Sequence, residues 1–136
     1  MRITTNIPVN RKFKKILKWV CTELKINVNL NLMLTPELAG GQSCCLDNKH
    51  KYLIIITETV LDLTNWYSWS ILVHELIHVQ QMEQGRLDKH PMFGCVKWEN
   101  NTVYLFNKSH CELPWEQEAI LNGHYLTGQL IREWFI

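Results

Sequence analysis

The chain has 136 residues, of which 46% are hydrophobic, and a formal net charge of +1 at pH 7. This length predicts a single domain over residues 1–136 that buries a core, and the small net charge favours neither nucleic acid nor an anionic membrane as a partner. The five cysteines are an odd number without a Cys-x-x-Cys spacing, which disfavours both a disulfide framework and a cysteine zinc site.

The N-terminal residues predict a cytoplasmic protein. Asn6, Pro8 and Asn10 precede a lysine cluster, and no apolar stretch of the kind found in secretory signals follows them. The longest apolar run, residues 52–56, is far too short to cross a bilayer. We therefore expect reduced thiols and no membrane partner.

The first predicted element is an amphipathic helix over about residues 10–25. Apolar side chains recur at helical spacing, and basic side chains occupy the opposite face at positions 11, 12, 14, 15 and 18. This pattern predicts a solvated basic face. A patch that binds nucleic acid or a protein partner is the alternative.

Two strands are predicted next, with a long loop between them. Residues 26–34 begin with apolar side chains alternating with asparagine, which is typical of a half-buried strand. Residues 35–51 contain one proline and two glycines and predict the loop. Residues 51–57 are rich in isoleucine and apolar on both faces, so they predict a strand in the centre of a sheet.

A long helix follows in the predicted order, and it carries the residues of greatest chemical interest. Thr64 suits its N-cap, and Gly85 suits the position just after its C-terminal end. Residues 95–106 then have the pattern of a hairpin that turns at residues 100–101.

The last predicted element is a helix that begins at Pro114, because proline suits the first helical position, and ends near residue 134. The predicted order is therefore helix, strand, strand, helix, hairpin, helix. This order indicates an α+β fold, in which a mixed sheet with a hairpin packs against the long helix and the C-terminal helix.

The long helix contains His74, Glu75 and His78 in the pattern His-Glu-x-x-His. Residues four apart lie on one helix face, so both imidazoles can reach one metal ion. Glu75 lies about 100° round the helix from His74, which suits a general base beside a metal-bound water rather than a third ligand. The pattern predicts a zinc ion, with hydrolysis of a peptide bond in a peptide or protein substrate as the chemistry.

A catalytic zinc needs a third protein ligand, and the last helix offers two glutamates. Glu118 is preferred, because Ala119 allows a close approach of the two helices and Asn122 lies on the same face, where it can support a zinc-bound histidine. Glu116 lies in the first turn, where a carboxylate also complements the helix dipole. Glu116 and His110 are the alternatives for the third ligand.

The scissile carbonyl in such a mechanism needs a polarising group, and no single side chain stands out. The candidates are His110, His124, Tyr104 and Tyr125. For each of them a simple surface or core position is the competing interpretation.

The motif at residues 74–78, followed forty residues later by the Glu-Ala pair at 118–119, resembles the zincin metallopeptidases of the gluzincin type. In thermolysin-like members the third ligand is a Glu followed by Ala, with an Asp four residues further on. This chain departs from that pattern, because it has Asn122 there. Residues 114–119 also resemble a Pro-x-Glu-x-Glu-Ala segment of small His-Glu-x-x-His proteins from bacteria and phages.

The gluzincin resemblance implies a small zincin-like domain, with zinc held by His74, His78 and Glu118 and with Glu75 as general base. It also implies that the strand at 51–57 precedes the metal helix and that its neighbours pair with an extended substrate.

Two other functions remain open on the sequence alone. The first is a non-catalytic, zinc-stabilised domain that binds proteins, which the small size of the chain favours. The second is an adaptor that uses the basic first helix to bind nucleic acid or a partner. The sequence does not indicate an oligomeric state.

Overall fold

The computed structural model describes residues 1–36, 40–46, 50–88, 94–106 and 108–135. Within these ranges the helices and strands are β1 (Ile3–Thr5), α1 (Arg11–Glu23), β2 (Asn29–Thr35), β3 (Gly41–Leu46), β4 (Lys51–Thr57), α2 (Trp66–Glu83), β5 (Leu87–Asp88), β6 (Cys95–Trp98), β7 (Asn101–Tyr104) and α3 (Pro114–Leu130). Single-turn helices cover Glu58–Leu61 and His110–Glu112, and α3 continues as a π-helical turn over Ile131–Phe135. The α+β prediction is confirmed.

The main sheet has the strand order β1-β2-β4-β3. β1 and β4 both run parallel to β2, whereas β3 runs antiparallel to β4, so the sheet is mixed. β2 and β4 are paired along their whole length, from Asn29 opposite Lys51 to Thr35 opposite Thr57. The prediction of a central strand at residues 51–57 is confirmed, and β3 lies at the sheet edge.

The predicted loop at residues 35–51 is wrong in part, because it contains β3. Residues 37–39 and 47–49 of that prediction lie outside the described residues. The β3 sequence, Gly-Gln-Ser-Cys-Cys-Leu, has no clear alternation of apolar and polar side chains. Its strand conformation is stabilised by backbone pairing with the edge of β4 opposite β2, from Gly41 opposite Ile56 to Leu46 opposite Lys51.

Side-chain caps set where two of the helices begin. The Asn10 side chain accepts a hydrogen bond from the backbone N–H of Phe13 at 2.7 Å and so caps α1. Asn65 caps α2 by accepting from the N–H of Ser68 at 3.1 Å, one residue after the predicted cap. No helix in the described part of the chain is long and apolar enough to span a bilayer.

The main core joins α1, the buried face of the main sheet, α2 and α3. The sheet contributes alternate residues of β2 and β4, which are Leu30, Leu32, Leu34, Tyr52, Ile54 and Ile56. Phe13 of α1 packs against Trp69 of α2, with ring centroids 5.2 Å apart. The basic residues of α1 at positions 11, 12, 14, 15 and 18 are exposed, as the amphipathic pattern predicted.

A second, smaller core joins the three-stranded sheet β5-β6-β7 to the start of α3. Its buried residues are Leu87, Val96, Trp98, Leu113 and Trp115. Glu99 and Asn100 have positive φ angles of 49° and 69°, so the hairpin turns one residue earlier than predicted. This packing holds the first turn of α3 against the end of α2.

Candidate metal centre

The two histidines of α2 lie side by side. The Nε2 atoms of His74 and His78 are 3.1 Å apart, and the rings meet edge to face with centroids 4.7 Å apart. The His78 side chain is 2% exposed and that of His74 is 22% exposed. Two nitrogens at this separation are close to the spacing of about 3.3 Å that neighbouring ligands have around a tetrahedral zinc ion.

Glu116 is the carboxylate that the structure brings to this pair. Its Oε1 lies 2.9 Å from Nε2 of His74 and 2.8 Å from Nε2 of His78. Burial by itself raises the pKa of Glu116, but hydrogen bonds with His74 and His78 and the charges of His78 and His110 lower it more, so its pKa is lowered overall. The site therefore holds a buried, ionised carboxylate beside two imidazoles.

The preference for Glu118 as the residue beside the histidines is corrected by this geometry. Glu118 is rotated by about 200° from Glu116 on α3, and its carboxylate faces Arg86 instead. Nη1 of Arg86 donates to Oε1 of Glu118 at 2.9 Å, and Nη2 donates to Oε2 at 2.5 Å. The face of α3 that packs closely contains Glu116, Ala119 and Gly123, all of which are buried. Ala119 lies on the same helix face as residue 116, three positions earlier, and not on the face of residue 118.

Gln81 supports His78 from within α2, whereas helical spacing predicts Asn122 for this role. Asn122 is exposed. Gln81 is fully buried, and its Oε1 lies 2.8 Å from Nδ1 of His78. Its Nε2 donates to the carbonyl oxygen of Trp115 at 3.0 Å and to Oε1 of Glu118 at 3.1 Å.

These contacts determine that Nδ1 of His78 is the protonated nitrogen when the ring is neutral. The Trp115 carbonyl and the Glu118 carboxylate only accept hydrogen bonds, so the Gln81 amide must turn its NH₂ group to them and its oxygen to His78. Nδ1 of His78 then carries a proton. Nε2 of His78 faces Glu116 at 2.8 Å: in the imidazolium it donates to that carboxylate, and in the neutral ring it is the nitrogen that is free to ligate a metal ion.

Arg86 extends this network to the small sheet. It donates to Oε1 of Glu99 from Nε at 3.1 Å and from Nη2 at 2.6 Å. Its guanidinium carbon lies 4.7 Å from the ring centroid of Trp98. Sequence reasoning missed Gln81 and Arg86, although Gln81 lies three residues after His78 and so on the same helix face.

Glu75 lies against the edge strand β3 and is 6% exposed. One of its carboxylate oxygens, one nitrogen of His74 and one of His78 all lie within 4.8 Å of one another. A Cβ atom placed on Gly41 would come within 2.7 Å of Cγ of Glu75. Only glycine therefore fits at that point of β3 without displacing Glu75.

His110 lies on the single turn that precedes α3, and its side chain is 76% exposed. Its Nε2 is 3.1 Å from Oε1 of Glu116. One nitrogen of His110, one of His74 and one oxygen of Glu116 lie within 4.8 Å of one another. His110 thus approaches the same point as the buried ligand candidates, but from the solvent side.

Two cavities meet at Glu75 and His110. One of about 330 Å³ runs between α2 and α3 and is lined by Gly40, Gly41, Tyr67, Ser70, Ile71, His74, Glu75, His110, Ala119, Ile120, Gly123 and His124. The other, of about 280 Å³, lies under β3 and is lined by Gly41, Gln42, Ser43, Glu75, His78, His110 and Glu116. Of the four candidates to polarise a carbonyl, these cavities include His110 and His124 but not Tyr104 or Tyr125.

No family model, curated protein or solved structure shows a significant match to the chain. Two imidazole nitrogens and an ionised carboxylate oxygen within 3.1 Å of one another form a donor set that zinc takes in hydrolytic centres.

Proposed function

We propose that the protein is a zinc-dependent peptidase in which His74, His78 and Glu116 hold the zinc ion and Glu75 is the general base. The observation that carries this proposal is the approach of one Glu116 oxygen to both Nε2 atoms, at 2.9 and 2.8 Å. Two histidines and one glutamate are three protein ligands, which leaves a position for substrate or water. Compared with the prediction from sequence, Glu116 replaces Glu118.

The residues around this centre suit peptide hydrolysis. Zinc, when bound, polarises a carbonyl and lowers the pKa of water. Glu75 borders both cavities, so it can take the proton of the attacking water and deliver it to the leaving amine. The network from Gln81 to Arg86 orients His78 through its Nδ1, so that Nε2 faces the site and, in the neutral ring, is free to bind a metal.

An extended peptide can bind along β3. This strand lies at the edge of the main sheet and lines the smaller cavity with Gly41, Gln42 and Ser43. Edge strands offer backbone groups that pair with an added strand. This arrangement of edge strand, metal helix and α3 also supports a zincin-like fold.

A reducing, cytoplasmic environment is part of the proposal. Cys21, Cys44, Cys45 and Cys111 form no disulfide, and Cys44 and Cys111 are exposed. Exposed free thiols persist where the surroundings keep them reduced.

The decisive experiment is the substitution Glu75→Gln, assayed on a broad peptide library with and without a chelator. We expect the wild-type protein to cleave peptides only when zinc is bound, and the variant to bind zinc at the same stoichiometry but lose cleavage. Glu112→Gln is the matched control, since Glu112 is exposed on the turn before α3. A Glu75→Gln variant that cleaves as fast as the wild type would remove Glu75 from the mechanism.

A zinc-stabilised protein-binding domain is the second candidate, and the position of His110 favours it. Structural zinc sites have four protein ligands and no open position. A fourth ligand at His110, 3.1 Å from Glu116, would close the site in this way. Zinc that raises the unfolding temperature of the protein while no library peptide is cleaved would decide for this function.

A further inference from the structure

We infer that His110 is a fourth zinc ligand in the resting protein and that it leaves the ion when substrate enters. This inference rests on the proposed zinc site and adds a form of regulation to it. Three imidazole nitrogens, from His74, His78 and His110, lie 2.9, 2.8 and 3.1 Å from the same oxygen of Glu116.

Hydrogen bonding alone does not explain this convergence. One carboxylate oxygen has two lone pairs, so it cannot accept three well-aligned hydrogen bonds. In the neutral ring of His78, Nε2 has no proton to donate when Nδ1 donates to Gln81. A cation bound by the Glu116 oxygen and the three nitrogens would satisfy all four atoms, since each nitrogen lies 2.8 to 3.1 Å from that oxygen, near the spacing of neighbouring zinc ligands.

The four donors differ greatly in how firmly they are held. The side chains of His78 and Glu116 are 2% and 4% exposed, and Gln81 holds the far nitrogen of His78. His110 is 76% exposed on a turn of three residues. Rotation of its side chain therefore breaks few contacts, so His110 is the ligand that can exchange.

The exchange of His110 connects the resting site to catalysis. His110 borders both cavities, and both of them also reach Glu75. On withdrawal of His110, a zinc ion held by His74, His78 and Glu116 would have a free position next to these cavities, where water or the substrate carbonyl would bind. One ligand replaces another, so no covalent bond of the protein forms or breaks.

The number of coordinated imidazoles tests this inference without any activity measurement. X-ray absorption at the zinc edge of the zinc-loaded full chain should show three imidazoles in the wild type and two in His110→Ala. His124→Ala is the matched control, because His124 lines the larger cavity but is not among the candidate ligands. Two imidazoles in the wild type would overturn the inference.

Zinc affinity and cleavage provide the second readout. By chelator competition we expect His110→Ala to bind zinc at least about tenfold more weakly, a loss that removal of an outer hydrogen-bond partner already causes. At full zinc occupancy His110→Ala should cleave at least as fast as the wild type, because no ligand has to leave. Slower cleavage at full occupancy would overturn the exchange step.

The two proposals fail separately. If no peptide is cleaved by any variant, the proposed peptidase activity is wrong while the imidazole count still decides the role of His110. If cleavage depends on Glu75 but the wild type shows two imidazoles, the peptidase proposal stands and the His110 inference falls.

Discussion

The candidate metal centre has two sides that are built differently. We call one the buried side, which runs from buried His78 and Gln81 to the partly exposed Glu118 and Arg86. The other, the open side, consists of the cavity-lining residues Gly41, Glu75 and His110. On the buried side, each residue is joined to the next by hydrogen bonds of 2.5 to 3.1 Å. On the open side, Glu75 and His110 border two cavities.

This difference separates two tasks that a hydrolytic metal site has to perform. Ligands must be held in one geometry, which dense hydrogen bonding and burial achieve. Reacting groups must reach substrate, which requires open space beside them. We therefore expect substitutions on the buried side to change zinc affinity, and substitutions at Gly41 or Glu75 to change turnover at unchanged zinc affinity.

Replacing the carboxylate that joins the two sides should have the largest effect. We expect Glu116→Gln to lower zinc affinity by more than about a hundredfold, because it removes a charged ligand rather than a supporting contact. Glu118→Gln is the matched control on the same helix and should cause a much smaller loss. The measurement is zinc occupancy by metal analysis and competition with a chelator. A larger loss in Glu118→Gln would restore Glu118 as the ligand.

The next largest effect is expected at Gln81. Gln81→Met keeps the approximate size of the side chain but removes the acceptor for Nδ1 of His78 and the donor to the Trp115 carbonyl and to Glu118. We expect zinc affinity to fall by about ten- to a hundredfold. Gln117→Met, at an exposed position of α3, is the control. Equal zinc affinity in the two variants would mean that the buried side does not tune the metal.

A smaller effect, on turnover alone, is expected at Gly41. In Gly41→Ala the new Cβ would stand 2.7 Å from Cγ of Glu75 and 3.0 Å from Cδ1 of Ile56, so Glu75 or β3 must move. We expect kcat to fall by about tenfold at unchanged zinc affinity, since small displacements of a catalytic group are costly. In Gly40→Ala no described atom lies within 4 Å of the added Cβ, so near-normal turnover is expected. Equal rates in both variants would show that β3 does not position Glu75.

The smallest effect is expected at the outer end of the buried side. Arg86→Lys keeps the charge but loses the paired hydrogen bonds to Glu118 and Glu99. We expect a loss of about 1 kcal/mol or less in the free energy of unfolding, because both ion pairs are partly exposed. Zinc affinity should fall only a few-fold. Denaturant unfolding of the metal-free protein would measure the first, and chelator competition the second.

Much of the fold was predictable because its elements have strong local signals. The amphipathic pattern of residues 10–25 and the isoleucine-rich stretch at 51–57 each correspond to an observed element, α1 and β4. β3 was not predictable, since its backbone is held by pairing with β4 and its side chains have no clear period. β1 has only three residues and depends in the same way on β2.

The candidate site was predictable as far as one helix carries it. His74 and His78 share a face of α2 by helical spacing, and the structure places their Nε2 atoms 3.1 Å apart. The choice between Glu116 and Glu118 depends instead on how α3 is rotated against α2. Packing at Ala119 and the ion pair between Glu118 and Arg86 favour the observed rotation. Arg86 is 32 residues away from Glu118 in the sequence.

The amino-acid sequence by itself therefore determined the chemical inventory and its local order: two imidazoles and a carboxylate on one helix, glutamates on another, and the α+β class. Only the tertiary structure decided which glutamate meets the histidines, that Gln81 orients His78, and that His110 approaches from solvent. Helical periodicity acts over a few residues and can be read along the chain. The meeting of α3, β3 and Arg86 depends on packing and charge between distant segments, which no local pattern records.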